Sequence, residues 1–314
     1  MRDYLFDIPV LFVIFNRKDV SIKSFIKIKE AKPLKLYIAG DGYRKNKVGD
    51  DIKVYETRQA ILDLIDWDCE VKTLFQEDNL GCGSGVYTAI NWFFENEECG
   101  IILEDDCVVQ ESFFFYMSEL LKKYAQDERI GMVAGFNSIG SIYSEYSYCF
   151  SKYKACWGWG TWKRAWQNMD LSLKWRTTSQ NDSILTNMGY LGKDVKAWKY
   201  KLKKIDAGAV SAWDWQWYFS LASKNQLCIF PAFSLVSNIG FGEDATHTTA
   251  YTNNMSARSN ITFPLSHPSY ILPNKEFDKK IYKKENAFIR RLRVYLPISF
   301  NKKMKFFFNK ITQK

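Results

Sequence analysis

Three acids stand side by side at Glu104-Asp105-Asp106, directly after the apolar run Gly100-Ile101-Ile102-Leu103. Adjacent carboxylates repel unless a cation or a hydrogen-bond network offsets the repulsion. Hard divalent ions such as Mg²⁺ and Mn²⁺ take carboxylate and phosphate oxygens together. A divalent ion bridging one of these carboxylates and a diphosphate is the economical chemistry for such a triplet; a solvated acidic turn is the alternative. Asp214 is a second candidate, flanked by indoles in Trp213-Asp214-Trp215 just ahead of an apolar helical stretch. A low-polarity setting favours the proton on a carboxylate and improves it as a general base. The same residue could instead cap the helix.

The elements that must position these groups are legible from hydrophobic patterning. Residues 9–15 (PVLFVIF) form a continuous apolar run, as in a strand buried on both faces. Residues 21–31 have helical spacing, 34–42 end a strand at Asp41-Gly42, 50–66 read as a helix, and 69–75 alternate like a strand. Residues 79–83 are a loop before the helix 84–96, and 100–103 are a short buried strand. This alternation predicts an α/β fold: a mostly parallel, Rossmann-like sheet flanked by helices. Ligands in such sheets bind beyond the carboxyl ends of the strands. Asn16, Arg17, Asp41, Asp78-Asn79 and the acidic triplet follow four different strands and are expected on one rim.

Past residue 111 the pattern loosens. Residues 113–124 read as a helix, 130–134 as a strand, 181–225 as helical and 227–230 as a strand, whereas 141–180 show no clear period. Within that stretch, residues 155–166 alternate Trp and Gly; their indoles serve either as stacking faces for sugar rings or as plugs in the core of the second half. The expected division is a nucleotide-binding half (1–110), an acceptor-binding and catalytic half (111–270) and a basic amphipathic tail (271–314).

The ordered set of motifs resembles the GT-A glycosyltransferases. The run Ile102-Leu103-Glu104-Asp105-Asp106 is similar to the EDD form of their DxD motif, most of all in the N-acetylglucosaminyltransferase I family and related bacterial sugar transferases. The resemblance covers residues 8 to about 245. It implies Asp106 as the metal ligand, with Glu104 and Asp105 on the nucleotide sugar. It further implies a nucleotide-contacting loop at Asn16-Arg17, an aspartate reading the uracil ring at Asp41, and a polar loop at Asn79. It also implies Asp214 as the base of an inverting transfer. His247 stands where some members complete the metal site, and a surface-loop histidine is the equal alternative.

Together these imply an enzyme of the hexosyltransferase type. It would use Mn²⁺ or Mg²⁺ and a nucleotide diphosphate sugar, probable form UDP-linked, to extend a glycan or lipid-linked glycan in bacterial surface polysaccharide or glycolipid assembly. A sugar nucleotidyltransferase on a similar sheet is the first alternative, although the segment after the first strand lacks the glycines of a phosphate loop. A non-catalytic glycan-binding protein is the second.

Charge and cysteine usage bound the setting. The net charge is +9, but residues 275–314 carry 13 Lys and Arg against three acids, so the remainder is close to neutral. That distribution argues against nucleic acid as the partner of the whole chain. In 285–314 basic residues interleave with Phe, Leu, Ile and Tyr, which suits a helix on an anionic membrane surface; packing on the domain is the rival. Seven Cys without CxxC spacing indicate neither a disulfide framework nor a zinc site. A cytoplasmic protein, peripheral at the inner membrane face, is the expected location.

Overall fold

Strand pairing follows the apolar runs. In the computed structural model, which describes residues 6–142, 145–190, 192–206, 213–240 and 260–285, the first half alternates as expected. β1 (Val10–Ile14) leads to α1 (Lys18–Ala31), β2 (Lys35–Gly40) to α2 (Asp50–Leu62), and β3 (Glu70–Phe75) to α3 (Gly81–Asn96), which returns the chain to β4 (Cys99–Glu104). Then follow β5 (Cys107–Val109), α4 (Ser112–Lys123), β6 (Ile130–Ala134), β7 (Tyr148–Ser151), β8 (Trp159–Trp162) and the short α5 (Lys163–Trp166). The chain continues through α6 (Asn181–Asn187), α7 (Gly192–Asp206), α8 (Asp214–Ser223), β9 (Leu227–Pro231), β10 (Val236–Asn238) and α9 (Lys275–Glu285).

Eight strands form one sheet in the order β3-β2-β1-β4-β8-β6-β9-β7, and β5 pairs β10 in a separate ribbon. The pairs β1–β2, β1–β4, β2–β3 and β6–β9 are parallel; β8 runs antiparallel to both β4 and β6, and β7 antiparallel to β9. The sheet is therefore mostly parallel and flanked by helices, as the patterning predicts. From β1 the chain moves outward to β2 and β3, then returns to place β4 on β1's other side. A crevice opens at such a reversal, because the crossovers on its two sides lead away from one another.

Alternate residues of the strands feed two cores. Val10, Phe12, Ile14, Ile38, Ile101 and Leu103 face α1, α2 and α4. Leu11, Tyr37, Ala39 and Ile102 face α3, α5, α6, α7 and α8. This period-two division of a continuous apolar run is what a strand covered on both sides requires.

The Trp-Gly stretch resolves into β8 at the middle of the sheet. Trp159 and Trp162 are buried on opposite faces, and Trp166 joins the first of them, its ring tilted against those of Trp159 and Trp217. These three indoles are core, whereas Trp157 lines a cavity together with Ala155 and Cys156. Gly158, which precedes β8, has φ +58°, and a Cβ there would meet Val236 at 2.8 Å. Glycine is the residue that takes this conformation without strain.

The start of the expected tail is part of the domain. Phe277 and Ile281 of α9 are buried in the same core as α8, Tyr282 donates to Asp194 at 2.7 Å, and Asp278 accepts from Ser151 at 2.5 Å. Residues 286–314 lie outside the described residues. No helix among the described residues is long and apolar enough to cross a membrane.

Candidate active site

A cavity of about 410 Å³ opens at the carboxyl ends of β1, β2 and β4. Asn16, Arg17, Asp41, Asn79, Glu104 and Asp105 line it, whereas two residues expected on the same rim do not: Asp106 reaches it only through Arg17, and Asp78 lines a separate cavity with Tyr43 and Lys45. Sites for small ligands commonly occupy roughly 300–1,000 Å³. Phe15, Arg44, Lys47 and Cys82 complete the part of the wall that bears on chemistry.

The acidic triplet is built around Arg17. Its Nε donates to Asp105 at 3.1 Å and its Nη2 to Asp106 at 3.0 Å, with a further contact from Nη2 to the other Asp105 oxygen. Burial disfavours the guanidinium charge, but Asp105 and Asp106 outweigh it and hold Arg17 firmly protonated. Asp105 is buried, and that burial lifts its carboxyl to about 6 against the opposing pull of Arg17. The Glu104 carboxyl group makes no hydrogen bond among the described residues. Burial first, then Asp106, Asp105 and Asp214, push its carboxyl up to about 8. That last influence is informative: Asp214 opens α8 in the second half of the chain, yet its charge reaches Glu104 and Cys82 beside the cavity. The candidate base and the acidic triplet therefore belong to one electrostatic neighbourhood.

Asp106 is held from a direction that the sequence did not reveal. Asn238, at the end of β10, donates to Asp106 Oδ1 at 3.0 Å, and the Ile239 amide donates to the Asp106 carbonyl at 2.9 Å. The Gly240 amide donates to Asn238 Oδ1 at 3.0 Å. A Cβ on Gly240 would sit 2.0 Å from Asp106 Oδ2, so no other residue fits there without moving the carboxylate. The only available signal was the turn-like Ser237-Asn238-Ile239-Gly240, which has no local mark of its partner. His247, the second expected metal ligand, lies outside the described residues.

Asp41 is occupied differently from a free base-reading carboxylate. Its Oδ1 accepts from the amides of Gly42 (2.9 Å) and Leu80 (2.8 Å), and its Oδ2 from Asn79 Nδ2 (2.9 Å) and the Gly81 amide (2.9 Å). Four donors match the roughly four lone-pair sites of a carboxylate. Asn79 also donates to the Gly42 carbonyl at 2.8 Å. Asp41 thus ties the end of β2 to the start of α3 and shapes the cavity wall.

A second buried acid was missed. Asp50 accepts from Arg44 Nη2 and Asn16 Nδ2, both at 2.6 Å, and from the Arg44 amide at 2.8 Å. The hydrogen bonds from Arg44 hold its carboxyl well below the usual range, against its burial. Arg44 in turn lies over the Phe15 ring, 5.0 Å from its centre. This places a cation and an aromatic face side by side at the cavity, with Asn16 oriented by Asp50.

No protein-family model matches the chain, and no curated protein matches it. Among solved structures it is similar to a mannosyltransferase from Pyrobaculum calidifontis in complex with GDP-Man and Mn²⁺, with 10% identity and a TM-score of 0.32. That match covers 51% of this chain and 45% of the mannosyltransferase, so less than half of that protein's length is spanned. A cytidylyltransferase from Leptospira borgpetersenii matches with 10% identity, TM-score 0.34, over 59% of this chain and 72% of that one. The glycosyltransferase GlyE of Streptococcus pneumoniae matches with 14% identity, TM-score 0.32, over 73% and 55%. These values are too low to transfer an activity.

The donor set itself can be tested against a divalent cation. Asp105 and Asp106 are engaged by Arg17 and Asn238, and among the described residues no three His, Cys, Asp or Glu converge as a self-sufficient metal cage. Yet Asp105 and Asp106 share the one guanidinium of Arg17, and Glu104, raised first by its burial, also feels the charges of Asp106, Asp105 and Asp214. Hard oxygen donors with excess negative charge suit Mg²⁺ or Mn²⁺, which commonly take one or two carboxylates and complete their shell with substrate phosphates and water. The residues fit a cation shared with a diphosphate.

Proposed function

We propose that this protein transfers a sugar from a nucleotide diphosphate sugar, UDP-linked, to a hydroxyl of a glycan acceptor, with inversion at the anomeric carbon. The observation that carries the reading is that Arg17, Glu104 and Asp105 line one cavity at the carboxyl ends of β1, β2 and β4, with Asp106 hydrogen-bonded by the same Arg17. The resemblance of the acidic motif to that of the N-acetylglucosaminyltransferase I family supports it.

In this reading the nucleoside lies against Phe15 and the wall that Asp41 and Asn79 shape, with Asn16, Arg44 and Lys47 beside it. The diphosphate lies at Arg17, whose guanidinium is already desolvated and oriented. Asp106, with Glu104 next to it, would hold a divalent cation, which supplies Lewis-acid neutralisation of the leaving diphosphate. Asp214 takes the proton from the acceptor hydroxyl; that oxygen bonds to the anomeric carbon as the bond to the diphosphate oxygen breaks. Arg17 accepts the charge that develops on the departing phosphate.

Calorimetry with UDP, with and without Mn²⁺, tests the donor site, and a screen of nucleotide sugars for hydrolysis identifies the donor. Tight Mn²⁺-dependent UDP binding and sugar release are expected. Formation of pyrophosphate from a nucleoside triphosphate and a sugar 1-phosphate would instead establish a nucleotidyltransferase. Absence of any nucleotide binding would remove both readings.

A further inference from the structure

A second cavity, of about 250 Å³, lies on the α8 side of the site. Asp214 lines it together with Lys154 and the rings of Phe136, Trp157, Tyr218 and Phe230. Phe136 and Trp157 pack with ring centres 4.6 Å apart, and Phe136 and Phe230 are buried. Ile281 of α9 closes one side, and Lys284 of α9 donates to the Ser138 carbonyl at the rim. Aromatic faces of this kind pack against the C–H faces of sugar rings.

Lys154 is out of place in such a wall. Its ammonium has three donors, and among the described residues it makes one hydrogen bond, to the Lys152 carbonyl at 2.5 Å. The carboxylate acting on it is Asp278, which accepts from Ser151 and the Lys152 amide, and the two form no ion pair. Burial lowers the Lys154 pKa to about 8. Lys154 is half-buried and lines the cavity, so its unfilled donors are available to an anionic group that enters there.

We propose that this second cavity is the acceptor subsite and that it selects a sugar bearing a carboxylate or phosphate group, held by Lys154 while a hydroxyl of the same ring faces Asp214. This deepens the transferase reading and rests on it for the role of Asp214. The four rings hold the sugar, and Lys154 reads its charge.

The test uses the full chain and three probes: D-glucuronate, D-glucose 6-phosphate and D-glucose, with binding followed by saturation-transfer NMR titration. At least one charged sugar should bind about tenfold more tightly than glucose, the scale of a hydrogen bond to a charged group; which one does separates a carboxylate acceptor from a phosphorylated one. Lys154→Met should abolish the preference while UDP binding at the donor cavity is retained and the melting temperature is equal or higher. Lys154→Arg should keep part of the preference. Equal affinity for all three sugars overturns the proposal, as does a preference that survives in folded Lys154→Met. If Lys154→Met fails to fold while Lys154→Arg folds, Lys154 is a structural counter-charge to Asp278 and the proposal falls. Loss of the transferase reading is distinguishable, since it would appear as absent UDP binding with the charged-sugar preference intact.

Discussion

Arg17 sits between Asp105 and Asp106, so the triplet already contains one internal cation. A divalent ion would add to this arrangement rather than create it, and Asp106 is the member most exposed to its loss. Asp106→Asn keeps the shape and the hydrogen bond from Asn238 but removes one negative charge. It should weaken Mn²⁺-dependent UDP binding by about a hundredfold, the upper range seen when even outer partners of a metal are removed. Calorimetry on the folded variant checks this, and unchanged Mn²⁺ dependence would show that Asp106 is not a ligand. Asp214→Asn removes the proposed base and leaves the donor cavity intact. Transfer should fall by about 10²–10⁴ while UDP affinity stays within twofold or so. A variant turning over at the wild-type rate would move the base elsewhere, and NMR of the product's anomeric configuration tests the inverting assignment independently.

The connections between elements set the shape of the cavity. Asp41 bridges the end of β2 and the segment entering α3 through three hydrogen bonds, from Asn79, Leu80 and Gly81, and a fourth comes from Gly42. The patterning identified both elements and the acid between them, but not that the acid spends its acceptors on the loop. Three of its four partners lie 38–40 residues away, beyond the reach of any local period. Asp41→Ala should therefore lower stability by about 2 kcal/mol, since it orphans amides that had a charged acceptor. It should weaken UDP and CDP alike if it acts through the loop, and UDP alone if it reads the base. Denaturant unfolding and paired nucleotide titrations measure the two effects. β8 illustrates a different limit. Trp-Gly alternation reads ambiguously because both a binding loop and a glycine-lined strand between bulky neighbours use large faces and small gaps. Its antiparallel place between β4 and β6 follows only from what it packs against.

At the scale of the molecule, α9 joins the C-terminal region to the core. Phe277 is 1% exposed and Ile281 2%. Phe277→Ala should cost about 3–5 kcal/mol, the usual range for emptying a buried aromatic site, and a truncation before residue 275 should be insoluble. A truncation after residue 285 should remain folded, and it should lose binding to anionic vesicles at low salt if residues 286–314 act as a basic surface anchor. Equal co-sedimentation of full-length and truncated protein would remove the membrane reading. Lys154 also gives the molecule a pH signature. Its pKa in the fold, about 8, lies below the ordinary lysine value, so between these the unfolded chain holds the extra proton. Stability should rise with pH through that window relative to Lys154→Met, because the penalty of the buried charge is present below about pH 8 and fades above it. Parallel melting curves that do not diverge in this window would show that Lys154 is solvated.

The first half of the fold and the convergence of its polar residues were determined by sequence. Parallel strands need crossover helices, so a βα alternation with doubly buried apolar runs leaves few arrangements, and each puts the strand ends on one rim. Asn16, Arg17, Asp41, Asn79, Glu104 and Asp105 could be placed there without knowing a single contact. The tertiary structure decided what those residues do to one another. Arg17 meets Asp105 across 88 residues, and Asn238 meets Asp106 across 132. Hydrogen bonds and desolvation depend on distances in space, and chain segments so far apart carry no shared periodicity from which such distances could be read.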